Sequence, residues 1–373
     1  MKLAYNFSII LLMAAIPCAY AGEVLPQRAD FTKTIKKEYE VGSNATVHIN
    51  NKYGKVDVKT WDKNRVKIDV RIVVKAATEA DAQKVFERIN VQFSNTGNYV
   101  KAETMIEPQS RKWWDTGGGN KNDYSINYEV FAPASISLEL YNKYGDVYAA
   151  AIKGKATIDV KYGNFKLDGL SETSNITLAY GNGKLTKAGK LVTDVSYARL
   201  NVTEANEMDV NSKYSTITID KLEALRSLSK YDTYKLGDIE LFRNTGKYDN
   251  IEVQQTGAMT VSSKYTNVHV AKAAKTLEMN MEYGGVTILQ LNKGFSDVNL
   301  SGKYTDFKLV VEDGATYRVD ALSDYAGIKY PSAMTVTLER KEKSSYEVKG
   351  HVGGQQPAAV IKARLSYGGL KVQ

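Results

Sequence analysis

Apolar and polar residues alternate along most of the chain, and the alternation restarts at regular intervals marked by a tyrosine. The positions three and five residues after each tyrosine are nearly always apolar, as with Leu200 and Val202. Another alternating run leads into each tyrosine, as Ile158 and Val160 lead into Tyr162. A spacing of two places side chains on one face of a strand. Each interval therefore predicts two short strands and two turns.

Twelve tyrosines mark these intervals, with spacings of 17 or 18 residues up to Tyr283, then 21, 21 and 42. They are Tyr144, Tyr162, Tyr180, Tyr197, Tyr214, Tyr231, Tyr248, Tyr265, Tyr283, Tyr304, Tyr325 and Tyr367. Such near-constant spacing is typical of a solenoid, in which stacked coils share one core. The sequence predicts an all-β fold, a parallel β-solenoid (β-helix) of about twelve coils with a 17–21-residue repeat and a structural ladder of stacked tyrosines. The 42-residue interval is interpreted as two coils, the middle tyrosine being lost.

The tyrosine is predicted to end a strand at a corner, because Gly, Asn, Asp, Ser or Thr follows it and favours a turn. Its parity matches that of the preceding aliphatic residues, so the ring is expected to point inward. The alternative fold is an antiparallel β-sandwich or barrel, which also has strands at 8–12-residue intervals. Those folds do not require the same residue at every second turn, and the solenoid is therefore favoured.

The region before the regular repeat differs in pattern. Tyr53 marks an early copy, and a helix is predicted to begin at Thr78, which would cap it. Residues 22–135 are therefore interpreted as an N-terminal α+β cap with the first repeat copy, and residues 136–373 as the repeat domain with C-terminal cap strands. Caps are expected because an open solenoid end exposes unpaired strand edges.

Residues 1–21 have the features of a secretory signal peptide. Lys2 is followed by a mostly apolar run, and Ala19-Tyr20-Ala21 forms a cleavage site, so the mature chain is expected to begin at Gly22. The apolar run is shorter than the roughly 20 residues of a membrane span, which disfavours an uncleaved anchor. The predicted location is the periplasm or the outer-membrane surface.

Composition and charge narrow the function. The net charge is +8, and the only cysteine, Cys18, lies in the signal, so the mature chain has no thiol for disulfides or thiolate metal sites. The chain has three histidines and none of the common catalytic or phosphate-binding motifs. We therefore predict a non-enzymatic protein without catalytic residues, metal or cofactor. The alternative is a polysaccharide-active enzyme, because some β-solenoids carry catalytic acids in a lateral groove.

Two features are candidate ligand-binding sites. Lys213, Lys230, Lys247 and Lys264 each precede a repeat tyrosine in consecutive copies, and by parity they form an outward basic stripe. Such a stripe suits an anionic glycan or another anionic envelope polymer, although it also suits a solvated edge that keeps a monomer soluble. The adjacent pair Trp113 and Trp114 follows Lys112 beside a glycine run, and it could stack on sugars or plug the solenoid end.

The segments Asn51-Lys52-Tyr53-Gly54 and Asn142-Lys143-Tyr144-Gly145, each followed by alternating apolar residues, resemble a bacterial family of unknown function, common in the Bacteroidetes, whose members are provisionally named adhesins. The resemblance covers nearly the whole mature chain. It implies a parallel β-solenoid at the cell envelope, with no catalytic residues. The predicted function is thus a structural or adhesin-like envelope protein that binds a glycan, a polymer or a surface or membrane protein rather than nucleic acid. A periplasmic accessory or scaffold protein is the other alternative.

Overall fold

The structure is a computed structural model that describes residues 28–108, 124–354 and 356–373. In these ranges the fold is all-β with one short helix, and its strands belong to one large, mostly parallel sheet. The predicted signal with its cleavage after Ala21 lies outside the described residues, as do Trp113 and Trp114. No helix in the described part has the length and apolar character needed to cross a membrane.

The N-terminal part mixes antiparallel and parallel pairing. Its described elements are β1 (Ala29–Glu40), β2 (Thr46–Lys52), β3 (Val56–Trp61), β4 (Arg65–Ala76), α1 (Glu79–Arg88), β5 (Ile89–Asn95), β6 (Tyr99–Ile106) and β7 (Tyr124–Pro133). The regular repeat begins with β8 (Ser137–Lys143) and β9 (Val147–Ala149). The N-terminal strands pair with these two in two rows. The first row has the order β8–β2–β6–β5, and the second has the order β9–β3–β7–β4–β1. The early copy around Tyr53 thus pairs directly with the first regular copy.

Helix α1 begins where the sequence predicted. The Thr78 hydroxyl accepts a hydrogen bond from the Asp81 N–H at 3.2 Å, which satisfies one free donor of the first turn. Ala82 and Phe86 are buried on one face of the helix, and β5 and β6 form an antiparallel hairpin beyond it. The N-terminal region thus combines one helix with strands. Its role as a cap and its boundary at residue 135 stay predictions.

The central part consists of segments that pair in parallel with a constant offset. After β9 come β10 (Ala156–Lys161), β11 (Phe165–Leu170), β12 (Ser174–Ala179), β13 (Asn182–Ser196), β14 (Arg199–Lys213), β15 (Thr216–Lys230), β16 (Thr233–Lys247), β17 (Asn250–Leu291) and β18 (Asp297–Val311). From β13 to β17 each residue lies opposite the residue 17 positions further along, as Arg199 opposite Thr216 and Thr216 opposite Thr233. Equivalent residues of neighbouring copies therefore form columns, and successive residues within a column are about 4.8 Å apart.

The C-terminal part folds back into the sheet. Its strands are β19 (Tyr317–Asp324), β20 (Ile328–Lys329), β21 (Thr335–Glu342), β22 (Ser345–Val352), β23 (Ala359–Ser366) and β24 (Leu370–Val372). Strands β21 and β22 form an antiparallel hairpin, and β22 pairs with β19. The chain then returns, and β23 lies between β18 and β19, parallel to both. The interpretation of the 42-residue interval as two coils is wrong, because a hairpin that covers the last parallel strand occupies it.

The core lies between the strand rows and runs along the whole described chain as one cluster of buried side chains. Val, Ile and Leu dominate it, and Tyr128, Tyr234, Phe242 and Phe307 are its largest fully buried members. Each fully buried aliphatic or aromatic side chain stabilises the fold by roughly 1.5–3 kcal/mol. Because inward and outward positions alternate between the corners, the same pattern that builds this core also sets the outward columns that a ligand can reach.

Candidate functional site

The corner tyrosines share a backbone conformation that is rare for residues other than glycine. The twelve repeat tyrosines and Tyr53 all have φ between 51° and 64°, in the left-handed region. In this region Cβ approaches the following carbonyl, which costs roughly 1–2 kcal/mol per residue. A conformation this costly at every corner needs a compensating interaction, and the rings provide one.

The tyrosine rings stack into one continuous ladder. It starts at Tyr53 on Tyr144 and runs through the repeat to Tyr304, Tyr367 and Tyr325, in that spatial order. Neighbouring ring centroids are 4.7–5.1 Å apart, and the angle between ring planes is at most 18°. An aromatic pair contributes about 0.5–1.5 kcal/mol beyond its area burial, so an inner ring with two neighbours recovers much of the backbone cost.

The prediction that these rings point inward is wrong. The repeat tyrosines are 36–64% exposed, and the ladder forms an outer edge of the sheet. Parity assumes an extended backbone at every residue, whereas a left-handed φ at the tyrosine reverses the alternation at that point. The ring therefore leaves the core side on which the preceding aliphatic residues lie.

The residue after each tyrosine passes very close to the neighbouring copy. A Cβ on Gly145 would lie 1.9 Å from the Gly54 carbonyl oxygen, and one on Gly163 would lie 2.0 Å from the Gly145 carbonyl oxygen. Glycine is thus required at these corners by the close backbone approach. In the middle of the sheet Ser215, Asp232 and other polar residues take this place, with the backbone arranged to bind their side chains.

A buried polar network follows from these residues. Both Asp232 carboxylate oxygens accept hydrogen bonds, from the Ser215 N–H at 2.7 Å, the Lys230 N–H at 3.0 Å and the Ser212 hydroxyl at 2.8 Å. Asp249 accepts the equivalent bonds one copy further, including one from the Asp232 N–H at 2.9 Å. Burial raises the pKa of Asp232 to about 6, despite these bonds.

Asp232 and Asp249 are candidates for the catalytic acids that a polysaccharide-active enzyme would need. Burial also raises the pKa of Asp249, and a shifted carboxyl is one sign of a catalytic acid. However, Asp232 and Asp249 are only 3% and 4% exposed, and their oxygens accept hydrogen bonds from backbone N–H groups of their own corner and of the preceding one. They have no open path to a polymer on the surface. The geometry assigns them a structural role.

The predicted lysine stripe lies in register. Lys213 is opposite Lys230, Lys230 opposite Lys247, and Lys247 opposite Lys264, and all four side chains are exposed. Neighbouring lysines of this column are about 4.8 Å apart along the backbone. Two like charges at such a distance repel each other by roughly 1 kcal/mol in water. The column therefore costs some stability in the absence of an anionic partner.

Two arginines that the sequence analysis missed widen this stripe into a face. Arg226 and Arg243 lie opposite each other, exposed, four residues before Lys230 and Lys247. We call the surface of Lys213, Arg226, Lys230, Arg243, Lys247 and Lys264 the basic face. The signal that could have found the arginines is their shared offset of five residues before the tyrosine, at outward parity.

Ion pairs occur only at the two ends of the basic face, among the described residues. Arg226 Nε lies 3.7 Å from Asp209 Oδ1, and Lys264 Nζ lies 2.5 Å from Glu282 Oε2. The hydrogen bond to Glu282 raises the pKa of Lys264. In the middle, the ammonium groups of Lys230 and Lys247 lie 5.5 and 5.0 Å from the ring centroids of their own corner tyrosines. Within the described chain, Lys213, Lys230, Arg243 and Lys247 have no carboxylate partner within ion-pair distance.

The basic face also has an apolar centre. Leu228 is 60% exposed between Arg226 and Lys230, and a shallow depression joins it to Arg243 on one side and to Val192 on the other, where Asp194 and Asp209 also line it. An apolar residue surrounded by cations favours a ligand that combines negative charge with carbon-rich surface. Because Trp113 and Trp114 lie outside the described residues, their candidate role stays a prediction.

Comparison with known proteins gives no family assignment. No family model matches the chain, and no curated protein matches it. A Clostridium sporogenes structure provisionally named a cell adhesion protein is 8% identical, with a TM-score of 0.20, over 92% of this chain and 99% of that one. A Parabacteroides distasonis structure provisionally named an adhesin is 14% identical, with a TM-score of 0.26, over 75% and 93%.

A second Parabacteroides distasonis structure, provisionally named a lipid binding protein, is 11% identical, with a TM-score of 0.24, over 75% of this chain and 92% of that one. The adhesin name among these structures agrees with the resemblance noted from the corner motifs. At such identities and TM-scores the likeness supports no assignment of a ligand or an activity to this chain.

Proposed function

We propose that the chain is a β-solenoid of about twelve coils with a 17–21-residue repeat, exported to the cell envelope, that acts as a non-enzymatic, adhesin-like binding protein. Its ligand is an anionic envelope polymer or glycan, held on the basic face. The constant 17-residue register and the continuous tyrosine ladder support the solenoid. The basic face carries the functional part of the proposal.

The single observation behind the binding role is the set of cations without carboxylate partners in the middle of the basic face. Lys213, Lys230, Arg243 and Lys247 lie on three consecutive strands, and in the described chain none has a carboxylate within ion-pair distance. Charges arranged only for solubility are usually interspersed with the opposite sign. Here the acids, Asp209 and Glu282, bound the face and leave its centre positive.

A polymer suits this face better than a small anion. The cations repeat at about the strand spacing of 4.8 Å, so one long ligand can meet several of them while losing its rotational freedom once. Contacts of this kind are strongly weakened by salt, because they release condensed counterions. Binding is therefore expected to fall steeply as ionic strength rises.

Removal of three cations from the basic face tests this function. The triple variant Lys213→Ser, Lys230→Ser, Lys247→Ser is expected to bind a linear sulfated polysaccharide without uronic acids about 10- to 100-fold more weakly, with each lysine contributing about 0.5–1 kcal/mol. Isothermal titration against an anionic and a neutral polysaccharide, at low and at physiological salt, measures the effect.

The matched control removes three exposed lysines from the opposite side of the corner, Lys166→Ser, Lys184→Ser and Lys235→Ser, none of which forms an ion pair in the described chain. Both triple variants lose the same net charge. Equal weakening by both would contradict a localised site, and so would a failure of the unaltered protein to bind any anionic polymer at low salt.

Export is part of the proposal and has its own measurement. The mature protein purified from the envelope fraction is expected to begin at Gly22, which intact-mass analysis detects as the loss of residues 1–21. Resistance to external protease in whole cells separates a periplasmic protein from one on the outer surface. A chain recovered from the cytoplasm with Met1 retained would contradict export.

A further inference from the structure

A groove lies near the C-terminal end of the sheet, on the side of the tyrosine ladder opposite to the basic face. It follows the column formed by the residues two positions after each corner tyrosine. In most of the sheet this column carries side chains, such as Asn182, Arg199 and Asn250. In the last copies it carries Gly285, Asp306, Gly369 and Gly327, in spatial order. Three of these four residues lack a side chain, which opens a groove along the sheet surface.

The fold does not require two of these glycines. A Cβ on Gly327 would have no atom within 4 Å, and one on Gly285 would have none closer than 3.7 Å. Neither residue has a φ in the left-handed region. The corner glycines described above are forced by close packing, whereas Gly285 and Gly327 leave open space. Their role therefore concerns what occupies the groove.

A lysine column forms one wall of this groove. Lys308 lies opposite Lys371, and Lys371 lies opposite Lys329, so three exposed ammonium groups follow one another at the strand spacing. None of the three forms an ion pair within the residues that the structure describes. We call the surface of Gly285, Gly327, Gly369, Lys308, Lys329 and Lys371 the C-terminal groove.

The floor of the C-terminal groove carries a hydrogen-bond acceptor, whereas the lysine wall carries hydrogen-bond donors. Asp306 is exposed there, and its Oδ1 accepts a hydrogen bond from the Gly369 N–H at 2.8 Å. Its second oxygen has no hydrogen-bond donor among the described residues and can accept from a ligand hydroxyl. A carboxylate on the floor repels a ligand whose charge lies along its centre, so the anionic groups of a ligand must face the lysine wall.

We propose that the C-terminal groove binds a carboxylated glycan, a linear chain of uronic acids. Such a chain has one carboxylate per sugar for the lysine column and hydroxyl groups for Asp306. A pyranose repeat is similar in length to one strand spacing of about 4.8 Å, so successive sugars meet successive lysines. A polyphosphate lacks hydroxyl donors along its chain and meets repulsion at Asp306. This site is separate from the basic face and does not depend on its function.

Filling the groove tests the proposal without altering charge. The double variant Gly285→Asn, Gly327→Asn places at these positions the residue that other copies already carry, at Asn182 and Asn250. It is expected to keep the melting temperature within about 2 °C and to weaken binding of an oligogalacturonate at least tenfold in isothermal titration. Thr233→Asn, in the same column in the middle of the sheet, is the matched control and is expected to bind as the unaltered protein does.

Two further measurements separate the possible outcomes. Lys308→Ser, Lys329→Ser, Lys371→Ser is expected to abolish oligogalacturonate binding, while the basic-face variant Lys213→Ser, Lys230→Ser, Lys247→Ser retains it. Retention of binding after the groove is filled would overturn the proposal. Equal affinity for polyphosphate and oligogalacturonate would also overturn it, because the groove would then recognise charge alone. Loss of oligogalacturonate binding in the basic-face variant alone would assign this ligand to that face instead.

Discussion

The folded chain is expected to become more stable as the pH falls from 7 to 5, opposite to the trend of proteins held by surface carboxylates. Asp232 causes this behaviour, because burial raises the pKa of its carboxyl from 3.8 to about 6. Above pH 6 the group is ionised in both states, and folding moves a charge out of water. Below pH 3.8 it is neutral in both states, so its contribution is fully present there and is lost as the pH rises through 6.

The expected size follows from the shift. A difference of about two pKa units corresponds to roughly 3 kcal/mol over the whole range, of which about 1 kcal/mol falls between pH 5 and pH 7. Burial raises the pKa of Asp249 as well, which adds to the effect in the same direction. The surface carboxyl groups of Asp81 and of the half-buried Glu282 have pKa values lowered by lysine partners, and they act only at lower pH. Urea unfolding at pH 5, 6 and 7 measures the trend.

Asp232→Asn provides the internal control, because it removes the titrating group and keeps the size of the side chain. Its stability is expected to vary less between pH 5 and pH 7 than that of the unaltered protein, whatever its absolute value. Asp238→Asn, at an exposed position six residues further, is expected to leave the pH dependence unchanged. A pH profile that is the same for the unaltered protein and for Asp232→Asn would show that Asp232 does not carry the effect.

Local sequence patterns predicted the strands, the helix cap at Thr78 and the exposed lysine column, because all of these depend on residue spacing along the chain. Spacing of two decides which side chains share a face, and a period of 17 decides which residues become neighbours in a parallel sheet. The register that joins Lys213 to Lys230 needs no further information. These features follow directly from alternation and repeat length.

Three features could not be obtained in this way. The ring direction at Tyr197 depends on a left-handed φ, which alternation alone does not reveal. The insertion of β23 between β18 and β19 depends on contacts far apart in sequence. The C-terminal groove depends on Tyr367 lying between Tyr304 and Tyr325 in space, and it therefore became visible only with that topology. In each case the missing information was a backbone conformation or a long-range pairing.

The tyrosine ladder and the polar core are linked at the corners. A left-handed tyrosine turns its ring outward and brings the next residue against the neighbouring copy, where Gly145 fits by having no side chain and Asp232 fits by binding two N–H groups. The same turn leaves the preceding lysine and the second following residue on the outer surface. The conformation that costs energy at each corner therefore also generates the basic face on one side and the C-terminal groove on the other.

Tyr197→Ala is expected to lower the free energy of unfolding by about 2–4 kcal/mol. Tyr197 stacks on Tyr180 and Tyr214 at 5.1 and 4.9 Å, so the change removes two aromatic contacts worth about 0.5–1.5 kcal/mol each and half-buried ring area. Alanine keeps the Cβ and thus the cost of the left-handed conformation. Chemical denaturation followed by far-ultraviolet circular dichroism measures the change.

Three comparison variants divide that loss into its causes. Tyr197→Phe keeps the ring and is expected to change stability by less than about 0.5 kcal/mol, because the exposed hydroxyl makes little net contribution. Tyr197→Gly loses the ring but adopts a positive φ readily, so it is expected to be about 1 kcal/mol more stable than Tyr197→Ala. Tyr325→Ala, at the end of the ladder with Tyr367 as its stacking neighbour, is expected to cost about half as much as Tyr197→Ala. Equal losses at Tyr197 and Tyr325, or a glycine variant no better than alanine, would mean that stacking does not compensate for the corner conformation.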